Sequence, residues 1–208
     1  MTIATSSPWK KYAAPVLLIL SAPCWWIGAF AFFQIVGSVY DAPDSATQID
    51  VVSRHPIAWF AQNLCFVLGM LASAGGLFAL TKILDRTPGR RFGQHGLLIT
   101  AAATAVGIGV VYVYLTLAKR LTPDAPPMYS HAGANPLHVP FAVLTLMGFV
   151  FYGVALVQTA NLRWTGVTGI LLSSLMLVAV SLHGDAFPPL FFYTIPLIFG
   201  IRLLFGNR

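Results

Sequence analysis

The polar positions of this chain come in short groups between long apolar runs, which cover residues 13–39, 56–84, 92–118, 137–159, 165–182 and 190–205. A helix needs roughly 20 mainly apolar residues to cross the hydrocarbon of a bilayer, and each run approaches or exceeds that length. The pattern predicts an all-α fold: a polytopic integral membrane bundle of six transmembrane helices, forming one domain over residues 1–208. The last two runs are the shortest, so a re-entrant hairpin is the alternative there.

The punctuation agrees with this division. The first run is longer than the roughly 7–15 apolar residues of a secretory signal and continues through Trp25, Trp26 and Phe30, so it reads as a retained helix. Pro15 falls in its first turn, whereas Pro23 lies inside and should kink it. His55-Pro56 opens the second run with proline at a first helical position. Gly69 with Ser73, Ala72 with Gly76, and Ala101, Ala105 and Gly109 recur four apart, the spacing that lets membrane helices approach closely.

Composition strengthens the membrane reading. Of the 208 residues 57% are hydrophobic and only 9% charged, against about a quarter charged in soluble domains. The net charge of +6 is scattered between apolar runs, which argues for membrane orientation and against a nucleic-acid partner. Lys10, Lys11, Lys82, Arg86, Arg90, Arg91, Arg163, Arg202 and Arg208 fall on one side, with both termini; Arg54, Lys119 and Arg120 fall on the other. The positive-inside rule then places both termini in the cytoplasm, with the bacterial inner (plasma) membrane as the expected location. Cys24 and Cys65 lie in apolar runs without CxxC spacing and read as reduced packing residues, a bridge between neighbouring helices being the sharper alternative.

With that orientation, the polar side chains gather toward the outer side. Pro126–Pro140, the longest polar interval, carries His131 and His138 and leads into the fourth helix. A step of seven residues returns to within about 20° on a helix, so His55 aligns with Gln62, His138 with Thr145 and Tyr152, and Ser174 with Ser181. Such stripes are costly to turn toward lipid and should face the bundle or a wet cavity. The expectation is an outward-opening pocket between the second, fourth and fifth helices. Its ligand-binding candidates are Gln34, His55, Gln62, Asn63, His138, Thr145, Tyr152, His183 and Asp185. Against it stands the plainer reading, in which histidine and tyrosine anchor helix ends and serine or threonine bonds its own helix.

The histidines differ in setting. His55 and His138 begin helices, where the dipole favours neutral imidazole, while His183 ends one near Asp185, which favours the protonated form. His55, His138 and His183 with a carboxylate would be an acceptable set for a transition metal such as zinc or copper, although no HExxH-type motif is present. A haem would need two facing axial ligands, which His138 with His55 or His183 would supply near the outer surface.

The general layout is similar to that of the small substrate-capture subunits of bacterial vitamin importers, in topology and length alone. Ala14, Ala22, Ala29 and Ala31 offer no pair four apart to match the small-residue seam on their first helix. Three functions follow as expectations. The first is binding or translocation of a small amphipathic ligand; the second is a metal- or haem-dependent redox enzyme acting on a lipid or quinone at the outer leaflet. The third is a structural subunit, docked through small-residue seams into a homo-oligomer or larger membrane complex.

Overall fold

The computed structural model describes residues 8–36, 44–120, 137–183 and 189–205, and among these the regular structure is entirely helical. In chain order the helices are α1 (Pro8–Trp26), α2 (Phe33–Val36), α3 (Ser45–Arg54), α4 (Pro56–Leu84), α5 (Arg90–Arg120), α6 (His138–Val157), α7 (Arg163–His183) and α8 (Thr194–Phe205). A π-helical turn, Ile27–Ala31, joins α1 to α2, and a 3-10 turn, Pro189–Phe191, precedes α8.

Among the described residues five segments are long and apolar enough to cross a membrane: Tyr12–Ala31, Pro56–Leu84, Arg90–Thr116, His138–Val157 and Arg163–His183. The sixth expected helix is shorter than its apolar run. α8 has 12 residues, about 18 Å at 1.5 Å per residue, against a hydrocarbon thickness of about 30 Å. Ile57, Leu98, Leu171, Leu175 and Leu182 all stand exposed on the helix surfaces. In water such patches would drive association, whereas a helix facing lipid needs them.

The six longer helices close into a ring, α1–α4–α5–α6–α7–α8 and back to α1. Glycines allow the close approaches. A Cβ at Gly69 would strike the Trp25 ring and one at Gly76 would strike Leu18, so both seat α4 on α1. Gly153 and Gly166 bring α6 and α7 nearly backbone to backbone, and Gly200 seats α8 against the Pro15 carbonyl of α1. The aromatic side chains fill the middle. Trp25 is stacked between Phe66 at 4.5 Å and Tyr193 at 4.7 Å, with Phe141 at 6.4 Å.

Three expectations change. The predicted seam at Ala101 and Ala105 faces outward, because both are exposed; α5 instead approaches its neighbours through Gly93, Gly96 and Gly107. Residues 105 and 107 differ by about 200° around a helix, so the small residues of α5 lie on two faces and only one is packed. The polar interval before His55 contains α3, whose buried residues are Ser45 and Gln48. Its burial of polar rather than apolar residues hid it from an apolar pattern. Third, α1 runs through Pro23 and changes at Ile27–Ala31, one turn later, to π geometry, a common form of local disruption in helices.

Cys24 and Cys65 are free and partly buried, so no bridge joins α1 to α4. The short connection between α4 and α5 keeps its charges at the surface, with Asp85 and Arg90 3.8 Å apart.

Candidate functional site

Two of the predicted stripes meet different fates. On α6, Thr145 and Tyr152 are both buried and turned into the bundle, as the spacing from His138 predicts, and His138 itself is half-buried at the helix start. On α7, Ser174 and Ser181 are exposed, and Ser181 bonds the Leu177 carbonyl of its own helix at 2.8 Å. A hydroxyl satisfied within its helix can face lipid at little cost, so the spacing alone did not fix the direction of that stripe. The interior polar seam therefore lies between α4, α5 and α6, and α7 does not line it with its serines.

The end of this seam near Pro56 is built on α4. Pro56 starts the helix with its ring at a position where an N–H would be unpaired anyway. Gln62 and Asn63 follow two turns in, each only 1% exposed. Asn63 is anchored, its Nδ2 donating to the Trp59 carbonyl at 2.9 Å. Gln62 Oε1 is buried and accepts no hydrogen bond from any described residue. One turn further in lies Phe66, stacked on Trp25. An amide acceptor thus sits at helical spacing above an aromatic layer that spans α1, α4, α6 and the segment before α8. Leaving such an acceptor unpaired in a dry interior costs on the order of 1–3 kcal/mol, which makes it the most informative polar atom on this side.

At the edge of the aromatic layer, its member Phe141 and Met70 close on Gly107, where a Cβ would collide with both. Deeper still, Tyr152 reaches from α6 to α4. Its hydroxyl is 2.7 Å from that of Thr81 and 3.0 Å from the Leu77 carbonyl.

Of the remaining sequence candidates, the two described histidines are peripheral. His55 and His183 are exposed at helix ends. Gln34 belongs to α2 with its side chain outside the described residues, and Asp185 and His131 also lie outside them. Among the described residues no three His, Cys, Asp or Glu side chains gather to hold a metal ion. His55, His138 and His183 are therefore not brought together as a metal-ligating group, because helix-end positions at the rim of a ring point to different sectors. What the sequence reading missed is the aromatic layer; the signal was available in Trp25, Phe66, Phe141 and Tyr193, one from each neighbouring run.

Compared with known proteins, the chain matches no family model, no curated protein and no solved structure.

Proposed function

We propose that this protein binds, and passes through its outer half, a small amphipathic ligand held between Gln62 and the aromatic layer of Phe66, Trp25 and Tyr193. The observation that carries this reading is the buried, unpartnered Gln62 Oε1, one helical turn along α4 from Phe66 of the stacked aromatic layer. A ligand with a hydrogen-bond donor at one end and an apolar body satisfies both at once. The donor removes the cost of the bare carbonyl, and the body covers rings that stack favourably with flat or aliphatic groups. Asn63 and the half-buried His138 flank the same level and complete the polar rim, and the set of nine sequence candidates narrows to these with Gln62.

In this proposal all six apolar helices form one domain in a bacterial inner membrane with both termini cytoplasmic. The charge asymmetry supports the orientation. The run of α8 alongside α1, from Tyr193 at Trp25 to Gly200 at Pro15, supports a sixth crossing by Pro189–Phe205. The metal- or haem-dependent redox reading draws less support, since its histidine ligands sit at separate helix ends.

The test is extraction in mild detergent followed by mass spectrometry of bound small molecules. An amphipathic compound at near-stoichiometric level, lost in a folded Gln62→Leu variant, supports the proposal. A protein that carries no small molecule and binds none from a lipid and metabolite extract refutes it.

A further inference from the structure

Most hydroxyls on these helices satisfy themselves. Ser21, Thr104, Thr116 and Ser181 each donate to a carbonyl three or four residues back. Four fully buried ones do not, and three of these are Ser73 on α4, Thr100 on α5 and Thr145 on α6, which are 2%, 4% and 3% exposed and make no hydrogen bond to any described residue. A helical serine or threonine always has its own carbonyl in reach, so three hydroxyls turned away from it in a dry interior call for a shared cause. Ser173, also unpartnered, belongs to α7 and lies outside the α4–α5–α6 interface.

These three residues lie in one stretch of the bundle, Thr100 meeting Gly148, which is three residues along α6 from Thr145. On its outer side, Met70, Gly107 and Phe141 meet across α4, α5 and α6. On its inner side, Tyr152 touches Gly96 and bonds Leu77. Between these two contacts, Ser73 lies three residues after Met70 and four before Leu77, on the face that α4 turns to its neighbours. Thr100 lies four residues after Gly96, with its hydroxyl against Gly148, and Thr145 lies four residues after Phe141. The two flanking layers thus bracket the three hydroxyls from both ends.

We propose that Ser73, Thr100 and Thr145 form an internal hydration site, a water-binding position enclosed at mid-membrane between Met70–Phe141 and Tyr152. The chemistry selects water over an ion. None of the buried polar side chains among the described residues is charged, and a cation at this depth without a carboxylate is strongly disfavoured. Hydroxyls both donate and accept, and three of them supply the two to four polar partners that an enclosed water requires. The site stands apart from the outer ligand reading and survives its failure.

The test is water-edited solid-state NMR on the full-length protein in lipid, with Leu146, equally buried on α6, as the dry control. Early magnetisation transfer from water to Thr100 and Thr145 but not to Leu146 is the expected result. Transfer no faster to the threonines than to Leu146 overturns the proposal, on the wild-type protein and independently of any variant. As a second readout, Thr145→Val or Thr100→Val alone strands the water short of a partner and lowers the melting temperature. The triple variant with Ser73→Ala has no water to strand, and its loss is smaller than the sum of the single losses. Threonine-to-valine changes that are each neutral or stabilising, and additive, overturn it as well.

Discussion

The hydroxyl of Tyr152 on α6 lies 2.7 Å from that of Thr81 on α4, and both reach the same Leu77 carbonyl, at 3.0 and 2.9 Å. Two hydroxyl protons therefore fill two of these three contacts at a time, one donating to the carbonyl and the other to its neighbour's oxygen. This is a polar clasp between two helices. Tyr152→Phe removes this hydrogen-bonded link between α4 and α6 but leaves Thr81 bonded within its helix. The expected loss is about 1 kcal/mol in a detergent unfolding assay. Thr81→Val in the Tyr152→Phe background adds less than it costs alone, because the shared contact is already gone.

The glycine seams sort into two classes. A Cβ at Gly166 would meet the Gly153 carbonyl and the Val157 backbone, neither of which can swing aside, so Gly166→Ala forces α6 and α7 apart and costs about 1–3 kcal/mol. At Gly75 the nearest atom is Leu17 Cδ1 at 3.4 Å, an ordinary contact with a flexible side chain. Gly75→Ala is neutral or stabilises by up to about 1 kcal/mol through helix propensity. Melting temperatures of the two variants in one detergent, with opposite signs or a clear gap, check the distinction.

Outside the membrane, α3 carries a pH dependence of known sign. The Asp44 side chain accepts from the Thr47 amide at 2.7 Å, and that backbone bond, reinforced by the Thr47 side chain, holds its carboxyl below the ordinary value of 3.8. A carboxyl with a lowered folded pKa stabilises the folded form above its unfolded pKa and loses that contribution as pH falls through the folded value. Protection of the Thr47 amide, its exchange rate relative to the intrinsic rate at each pH, should therefore fall only below about pH 4. In Asp44→Asn, which caps without titrating, this loss of protection disappears.

Much of the architecture was legible because membrane helices announce themselves by length. The run 56–84 coincides with α4 end for end, since Pro56 marks its start and the basic turn its finish. The inward stripe of Thr145 and Tyr152 was legible too, by its seven-residue step. Its counterpart Ser174–Ser181 was not, because a self-bonded serine is as content against lipid as against protein. α3 escaped because it buries Ser45 and Gln48, and the aromatic layer because its members come from four separate runs and meet only when the ring closes. The histidines failed to converge for a related reason: a place at the same membrane side fixes depth but not the sector of the ring.

Topology has its own check. Reporter fusions at the two ends of the chain are expected to read the same, cytoplasmic, side when Pro189–Phe205 crosses. A C-terminal fusion that reads the outer side gives five crossings and removes the sixth.

The central claim rests on Gln62, and native mass spectrometry of the wild-type protein beside Gln62→Leu addresses it most directly. A small amphipathic molecule is expected bound to the wild type and released in the leucine variant, which removes the unpaired carbonyl while keeping α4 packed and the melting temperature equal or higher. A wild-type protein that flies without an adduct and gains none on addition of membrane extract, or an adduct retained unchanged by Gln62→Leu, would contradict it.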